Sequence, residues 1–216
     1  MIEKMMEAIQ AKYKCKPVDA GVFAKVVIEG ANFAIKAYDI EGVGRVATVS
    51  MKRLIGFWEM QSLIITPYEV DMPIYYYNRH REKGNYIYRV EVFDTQMNAM
   101  DTTPFNEVKE KYANIPDVPQ VERWYDYLKL PICLVKKIEK KNKAELDPLA
   151  WEHFKAYFDL MEKAPACKKT EKKKKATKFV NELCKQSGIA IVEIFIANYG
   201  EKVTEKLCNE VLFGLK

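Results

Sequence analysis

The sequence has little of what metal sites and disulfide scaffolds require. Among 216 residues there are two histidines, His80 and His153, and five cysteines, no two of which form a CxxC pair. An odd number of scattered cysteines does not make a disulfide framework, and two distant histidines do not make a zinc site. We therefore expect a protein without a metal site whose thiols stay reduced, which places it in the cytoplasm.

Long apolar runs and a strong excess of one charge are also absent. No window approaches eighteen uncharged apolar residues, so the sequence predicts neither a membrane span nor an export signal. A net charge of +5 is small for a dedicated nucleic-acid binder. Gly42-Val43-Gly44 lacks the third glycine and the following helix of a phosphate-binding loop. We expect neither nucleic acid nor membrane as a partner.

Aromatic residues are abundant instead. They make up 12% of the chain and include thirteen tyrosines, which indicates a large aromatic core or a pocket for a flat ligand. A chain of this length buries a core without disulfides or metal, and no linker divides it, so we predict one domain over residues 1–216.

Hydrophobic periodicity divides the chain into a sheet followed by helices. Period-two segments lie near residues 23–29, 33–40, 45–54, 56–66, 72–81 and 85–94. The turns between them leave no room for crossover helices, which predicts mostly antiparallel pairing. Helical patterns cover residues 3–13, 106–112 and 121–128 and then continue from 147 to the end of the chain. This last part contains a helix that begins at Asp147, a second over roughly 170–198 broken at Ser187-Gly188, and a third over 201–213 after Gly200. This order predicts an α+β fold with a central antiparallel sheet packed by helices.

A two-residue turn at Lys83-Gly84 sets the pairing of the last two predicted strands. It places Asn78 opposite Arg89 and Tyr76 opposite Glu91. One face then carries apolar and tyrosine side chains only, namely Tyr75, Tyr77, Tyr86, Tyr88, Val90 and Val92. The other face mixes apolar with polar groups, namely Ile74, Tyr76, Asn78, His80, Ile87, Arg89, Glu91 and Phe93.

The polar groups on the second face allow two interpretations. They form an exposed or mutually paired ladder across the strands, or they line a ligand pocket under the C-terminal helices. The preceding strand is equally ambiguous, because Phe57, Glu59 and Gln61 alternate with Trp58, Met60 and Ser62.

Three short motifs follow the pattern of one known protein family. They are Tyr199-Gly200-Glu201-Lys202-Val203-Thr204-Glu205 continued by Val211-Leu212-Phe213-Gly214-Leu215, Thr66-Pro67 through Asp71-Met72-Pro73, and Asp94-Thr95-Gln96. The first is similar to the C-terminal helix of the ferredoxin-dependent bilin reductases, the second resembles their FP...FDLP segment, and the third resembles their DMQP. Red chlorophyll catabolite reductase is related to that family.

The resemblance implies a three-layer α/β/α sandwich that holds an open-chain tetrapyrrole between the sheet and the C-terminal helices. It further implies an oxidoreductase that takes single electrons from ferredoxin and protons from protein groups, with no bound cofactor.

Carried over to this chain, the family's site departs from its pattern. The position of the proton-donating aspartate is Asn78, and an amide cannot donate that proton, although it can hydrogen-bond the ligand. The position of its partner is Gln61 or Ser62, depending on which proline is counted from. A second functional aspartate corresponds to Ser187 or Gly188, where the chain has no acid.

Substitute proton donors are present nearby. Glu59 and Glu91 are the carboxyl candidates, because a buried carboxyl group becomes a better general acid at neutral pH. Pairing of Glu91 with Arg89, and a solvated His80, are the simpler alternatives. The remaining contacts to a flat ligand would come from Tyr76, His80, Arg89 and Phe93, with Phe57 as a further ring.

A lysine-rich run, Lys168-Lys169-Thr170-Glu171-Lys172-Lys173-Lys174-Lys175, precedes the helical C-terminal part. Such runs are typically solvated helix starts or linkers. In an enzyme supplied by ferredoxin, the run would also dock the acidic electron carrier.

The leading hypothesis is a cytoplasmic bilin-reductase-like oxidoreductase that reduces a linear tetrapyrrole or a related conjugated ligand with electrons from ferredoxin. A catalytically silent tetrapyrrole carrier or sensor of the same fold is the alternative. A third possibility is an interaction domain whose pocket is filled by its own side chains.

Overall fold

The computed structural model describes residues 1–53, 58–82, 84–119, 122–186 and 188–216. The helices are α1 (Ile2–Lys12), α2 (Thr103–Lys111), α3 (Leu146–Lys163), α4 (Lys169–Gln186) and α5 (Ala190–Lys206), the last followed by a π-helical turn (Leu207–Leu212). The strands are β1 (Cys15–Val18), β2 (Lys25–Ile28), β3 (Ala31–Ile40), β4 (Gly44–Arg53), β5 (Trp58–Pro67), β6 (Ile74–Glu82), β7 (Asn85–Phe93) and β8 (Leu134–Glu139).

The eight strands form one antiparallel sheet in the order β1-β3-β4-β5-β6-β7-β8. Strand β2 pairs with β3 on the same side as β1 but further along, so the two short strands share one edge of β3. From β3 to β8 each strand pairs with the next strand along the chain, and each of these pairs is antiparallel, which confirms the prediction from the short turns.

Helices cover both faces of this sheet and create two separate cores. One face packs against α1, α2 and α3 through residues such as Tyr75, Phe105 and Phe154. The other face packs against α4, α5 and the π-helical turn through residues such as Phe33 and Phe195. The molecule is therefore a three-layer α/β/α sandwich, as predicted. Within the described residues, no helix is long and apolar enough to cross a membrane.

The tyrosine-rich side of the β6–β7 hairpin belongs to the first of these cores. Tyr75, Tyr77, Tyr86 and Tyr88 are all buried there, together with Val90 and Val92. Tyr75 contacts Tyr157 of α3, with ring centroids 4.6 Å apart. This part of the aromatic excess is a structural core and requires no ligand.

The structure corrects several of the predicted elements. Strands β1 and β8 were not predicted, because β1 contains Pro17 and β8 contains two adjacent lysines. Among the described residues, the helix expected over 121–128 is only a 3-10 turn at Asp126–Leu128. In contrast, the break expected within residues 170–198 is confirmed, because α4 ends at Gln186 and α5 begins at Ala190. Gly200 has φ 76°, which breaks the regular geometry of α5 where we expected a helix boundary.

The lysine-rich run begins α4 and is only partly solvated. Lys172 is fully buried; its Nζ lies 3.2 Å from Asp71 Oδ1 and donates to the Thr95 carbonyl oxygen at 2.6 Å. Asp71 also accepts hydrogen bonds from the backbone amides of Met97 and Asn98. The interpretation as a solvated run is therefore wrong for Lys172, which fastens α4 to the loops at one end of β6 and β7.

Candidate functional site

A cavity of about 360 Å³ lies between the β6–β7 hairpin and the start of α5. Its volume falls within the roughly 300–1,000 Å³ of small-molecule pockets. The sheet contributes Tyr76, Asn78, His80, Ile87, Arg89 and Glu91, and the covering loops and helix contribute Val118, Pro119, Arg123, Ile189, Ala190 and Glu193. The polar face of the hairpin therefore lines a pocket.

The observed register brings the predicted side chains together. Asn78 pairs with Arg89, Tyr76 with Glu91 and His80 with Ile87, all as expected from a two-residue turn. On the next strand Ser62 pairs with Asn78. Since residues opposite each other point to the same face, Ser62, Asn78 and Arg89 form one row beneath the helices.

Asn78 is held from both sides by hydrogen bonds. Its Nδ2 donates to Ser62 Oγ at 2.8 Å, and its Oδ1 lies 2.9 Å from His80 Nδ1. Because the amide oxygen can only accept, this arrangement places the hydrogen of the imidazole on Nδ1. The side chain of Asn78 is 1% exposed, and the amide fixes the orientation of His80 at the cavity wall.

Glu91 is the buried carboxylate of the cavity. It is 1% exposed, and its Oε1 lies 2.7 Å from Lys129 Nζ and 3.0 Å from Arg89 Nη1. Its Oε2 is buried and has no hydrogen-bond partner among the described residues. The pairing with Arg89 expected from the sequence is present, and Lys129 is a second cation that the sequence did not indicate.

Lys129 reaches Glu91 because the chain after the 3-10 turn runs beside the end of β7. The Asp94 amide donates to the Leu128 carbonyl oxygen, and the Leu130 amide donates to that of Val92. Asp126 Oδ1 lies 2.7 Å from Lys129 Nζ. No periodic pattern marks this irregular segment, so sequence analysis missed Lys129.

Two tyrosines near Glu91 are kept neutral by their surroundings. Burial, followed by the charge of Glu91, raises the pKa of Tyr76 well above its usual value. The same two causes raise the pKa of Tyr125. Neutral phenols can donate hydrogen bonds inside the site but carry no charge there.

Glu59 and Gln61 do not reach this pocket, which corrects their grouping with Asn78. Ser62 faces Asn78, so Gln61, one residue earlier on β5, faces Arg79 on the opposite side of the sheet. There Gln61 Oε1 accepts a hydrogen bond of 2.8 Å from Arg79 Nη2. Glu59 shares that side, since side chains alternate along a strand.

Of the aromatic residues predicted to contact the ligand, those that the structure describes differ in position. Tyr76 lines the cavity. Phe93 lies on the expected face but packs into the core, with its ring centroid 4.5 Å from that of Phe179, and it is not a cavity wall. Phe57 lies outside the described residues.

The far wall of the cavity is tied together by Arg123. Its Nη1 donates to the Gly188 carbonyl oxygen at 2.7 Å and to the Tyr125 hydroxyl at 2.9 Å. The same nitrogen lies 3.4 Å from Glu193 Oε1. The resemblance assigned a second functional aspartate of the family to Ser187 or Gly188. Ser187 lies outside the described residues, and Gly188 contributes only this carbonyl oxygen. Glu193 of α5 is an acidic residue at the cavity that sequence analysis missed.

Metal ligands are not clustered in the part of the chain that the structure describes. No group of three His, Cys, Asp or Glu side chains is placed to hold an ion, and the five cysteines are unpaired. The residues at the cavity can bind an organic ligand through hydrogen bonds, charge and aromatic contact.

The fold is a three-layer α/β/α sandwich that a solved protein shares. Phytochromobilin synthase from tomato, solved in complex with biliverdin, is similar to it with a TM-score of 0.79 and 11% sequence identity. The alignment covers 99% of this chain and 82% of that one. At this identity the similarity shows the fold. No family model and no curated protein matches the sequence.

Proposed function

We propose that this protein binds a linear tetrapyrrole in the cavity between the β6–β7 hairpin and α5, and reduces it with electrons from a ferredoxin. The observation that carries the proposal is the cavity itself: a ligand-sized space lined by buried hydrogen-bonding groups, in a fold that it shares with a protein solved with biliverdin.

The cavity walls suit a flat conjugated molecule with a polar edge. Tyr76, Ile87 and Ile189 offer apolar contact to its faces. Asn78 and Arg89 present amide and guanidinium groups, which can donate hydrogen bonds to lactam oxygens. Apolar walls with a few polar groups are typical of small-molecule sites.

Reduction of one double bond requires two electrons and two protons. Ferredoxin, which carries one electron at a time, would be oxidised twice, and the two protons would reach the ligand in succession through one protein donor that solvent reprotonates between the two steps. Asn78 cannot donate a proton. Glu91 is engaged in ion pairs with Arg89 and Lys129, so we assign the proton donor role to His80, which Asn78 holds at the cavity wall.

The electron carrier would dock near α4. Lys174, Lys175 and Lys178 of this helix are exposed, whereas Lys172 is buried. Exposed lysines favour the approach of an acidic protein such as ferredoxin and make the encounter dependent on salt.

A catalytically silent binder remains the second candidate, and one observation favours it. The amide of Asn78, at the position that the resemblance assigns to the family's aspartate, uses one of its N–H groups and its oxygen within the protein, on Ser62 and His80. Such a site can hold a ligand while providing no carboxylic acid for the radical intermediate.

The decisive experiment adds biliverdin to the purified protein and follows its absorption spectrum with and without reduced ferredoxin. A spectral shift on mixing, followed by loss of the conjugated band only when reduced ferredoxin is present, is the expected result. A shift without subsequent reduction would select the silent binder. A spectrum identical to that of free biliverdin would overturn both and leave an interaction domain.

A matched pair of variants locates the site. His80→Gln should retain the spectral shift but slow the reduction by roughly 100-fold, the usual contribution of a positioned general acid. Glu59→Gln, on the opposite face of the sheet, should change neither. Equal rates for His80→Gln and the wild type would contradict the assignment of His80.

A further inference from the structure

One oxygen atom in the cavity wall lacks the partner that its burial calls for. Oε2 of Glu91 is buried and accepts no hydrogen bond from any described residue, while Oε1 of the same carboxylate is paired. Burying a charged acceptor without a partner costs free energy. Such an atom at the wall of a ligand-sized cavity is positioned to receive a donor from a ligand.

The two oxygens differ because the cations approach from one side. Lys129 Nζ and Arg89 Nη1 both contact Oε1. Lys129 is itself fixed, since Asp126 Oδ1 lies 2.7 Å from its Nζ and the Tyr125 ring centroid lies 4.8 Å away. Its side chain is 14% exposed, which makes this arrangement a part of the interior.

We propose that Oε2 of Glu91 is the anchor for a ring N–H of the ligand, and that Lys129 is the positioning residue that holds this carboxylate at the cavity wall through its ion pair with Oε1. The inference rests on the proposed function and makes it more specific. The ligand must carry an N–H donor at its edge, as the pyrrole and lactam rings of a linear tetrapyrrole do.

The charge of the anchor determines what it accepts. A carboxylate offers hydrogen-bond acceptors only, so it binds N–H groups and disfavours lactam carbonyl oxygens, which are also acceptors. A hydrogen bond to a charged group is also stronger than one between neutral groups. The anchor therefore selects the edge of the ligand that carries its N–H groups and fixes how the ring system enters the cavity.

The test is a titration of biliverdin into the purified full-length chain, followed by absorption, for the wild type and four variants. Glu91→Gln replaces the charged acceptor with a group of the same shape. Lys129→Met removes the positioning cation and Lys129→Arg keeps a cation. Lys155→Met removes the same charge from an exposed position on α3.

We expect Glu91→Gln and Lys129→Met each to weaken binding by roughly 10- to 100-fold, the range of a lost hydrogen bond to a charged group. Lys129→Arg should restore most of the affinity, and Lys155→Met should bind like the wild type. Rescue by arginine is a response that a general loss of packing would not give. Thermal unfolding of each variant shows that the fold is retained.

Other outcomes would overturn specific parts. If the wild type binds and Glu91→Gln binds equally well, the anchor fails while the proposed function stands. If Glu91→Gln binds normally but no longer reduces the ligand, Glu91 is the proton donor expected from the sequence and not an anchor. If Glu91→Gln does not fold, equal binding by Lys129→Met and the wild type refutes the positioning role. If the wild type does not bind, the proposed function fails and the anchor with it.

Discussion

Asn78 is a buried amide in the wall of the cavity. It lies between the buried Ser62 and the half-buried His80 and is hydrogen-bonded to both. An amide there orients its neighbours but holds no transferable proton. The same position would accommodate a carboxyl group of nearly identical shape.

We predict that Asn78→Asp increases the rate of ferredoxin-dependent reduction of biliverdin by at least about tenfold. The new carboxyl group would be a buried acid beside the ligand, and a positioned general acid typically contributes 10²–10⁴-fold. The measurement is the loss of absorbance in the conjugated band under single-turnover conditions. Asn78→Ser removes the amide without adding an acid and is the matched control; if the two variants react equally slowly, Asn78 is not the missing acid position.

His153 shows a different consequence of burial at the residue scale. It is fully buried, with Nε2 donating to the Ile132 carbonyl oxygen at 3.0 Å and Nδ1 lying 3.4 Å from the Tyr75 hydroxyl. Burial lowers its pKa to about 4, and the hydrogen bond to Ile132 opposes this only in part. The imidazole is therefore neutral in the folded protein throughout the physiological pH range.

This burial predicts a loss of stability in mild acid. An unfolded chain binds a proton at His153 below a pH of about 6.5, whereas the folded chain does not until about 4, so protons favour unfolding between these values. This difference in proton binding at His153 lowers the free energy of unfolding by about 3 kcal/mol by pH 4. Urea unfolding at several pH values should show that the free energy of unfolding of His153→Gln falls less steeply below pH 6.5 than that of the wild type. The same pH dependence in both proteins would contradict the role of His153 in this loss of stability.

At the scale of elements, α4 is attached to the sheet by an ion pair in the interior. Lys172 projects from its first turn to Asp71, which precedes β6, and to the Thr95 carbonyl oxygen after β7. Burial alone would raise the pKa of Asp71, but hydrogen bonds from Met97, Asn98 and Lys172 lower it below its usual value. The carboxylate is thus an acceptor shared by two segments, the loop after β7 and the start of α4.

We predict that Lys172→Met lowers the free energy of unfolding by about 3–5 kcal/mol, because it leaves a buried carboxylate without its cation. Lys174→Met, two residues along the same run but exposed, should change it by less than about 0.5 kcal/mol. Chemical denaturation measures both. Asp71→Asn combined with Lys172→Met should recover part of the loss, and equal stability of the two single lysine variants would refute the role of Lys172.

The elements also show which parts of the site were predictable. The β6–β7 pairing followed from the sequence because a two-residue turn leaves one register, and with it the positions of Asn78, Arg89 and Glu91. The β5–β6 connection is longer, so the sequence left open whether Ser62 or Gln61 lies opposite Asn78, depending on whether residues are counted from Pro67 or from Pro73. In the structure Ser62 lies opposite Asn78. Lys129 and Arg123 come from irregular segments, where no period predicts which way a side chain points.

For the molecule as a whole, charge is distributed unevenly between interior and surface. The net charge is only +5, yet several lysines of α4 remain exposed on the side of the fold that covers the cavity. A carrier of opposite charge would be attracted to this helix over a distance comparable with the screening length.

We predict that reduction of bound biliverdin by ferredoxin slows as ionic strength rises, while biliverdin binding itself changes little. The screening length falls from about 30 Å at 0.01 M to about 10 Å at 0.1 M salt, which weakens attraction between proteins but not contacts inside a cavity. Stopped-flow rates at increasing ferredoxin concentration measure the effect. Replacing Lys174 and Lys178 by glutamine should flatten the salt dependence, and an unchanged dependence would exclude α4 as the docking surface.

The layered arrangement has a consequence for how the protein is made. The strands that form the floor of the cavity precede α4 and α5, which form its roof, by many tens of residues in the chain. During synthesis the sheet therefore emerges before its cover, with an apolar face that includes Ile64, Ile74 and Phe93 still open to water. A ligand present during synthesis would therefore contact this open face of the sheet before α4 and α5 are made, and the folding of these helices would then close the cavity over it.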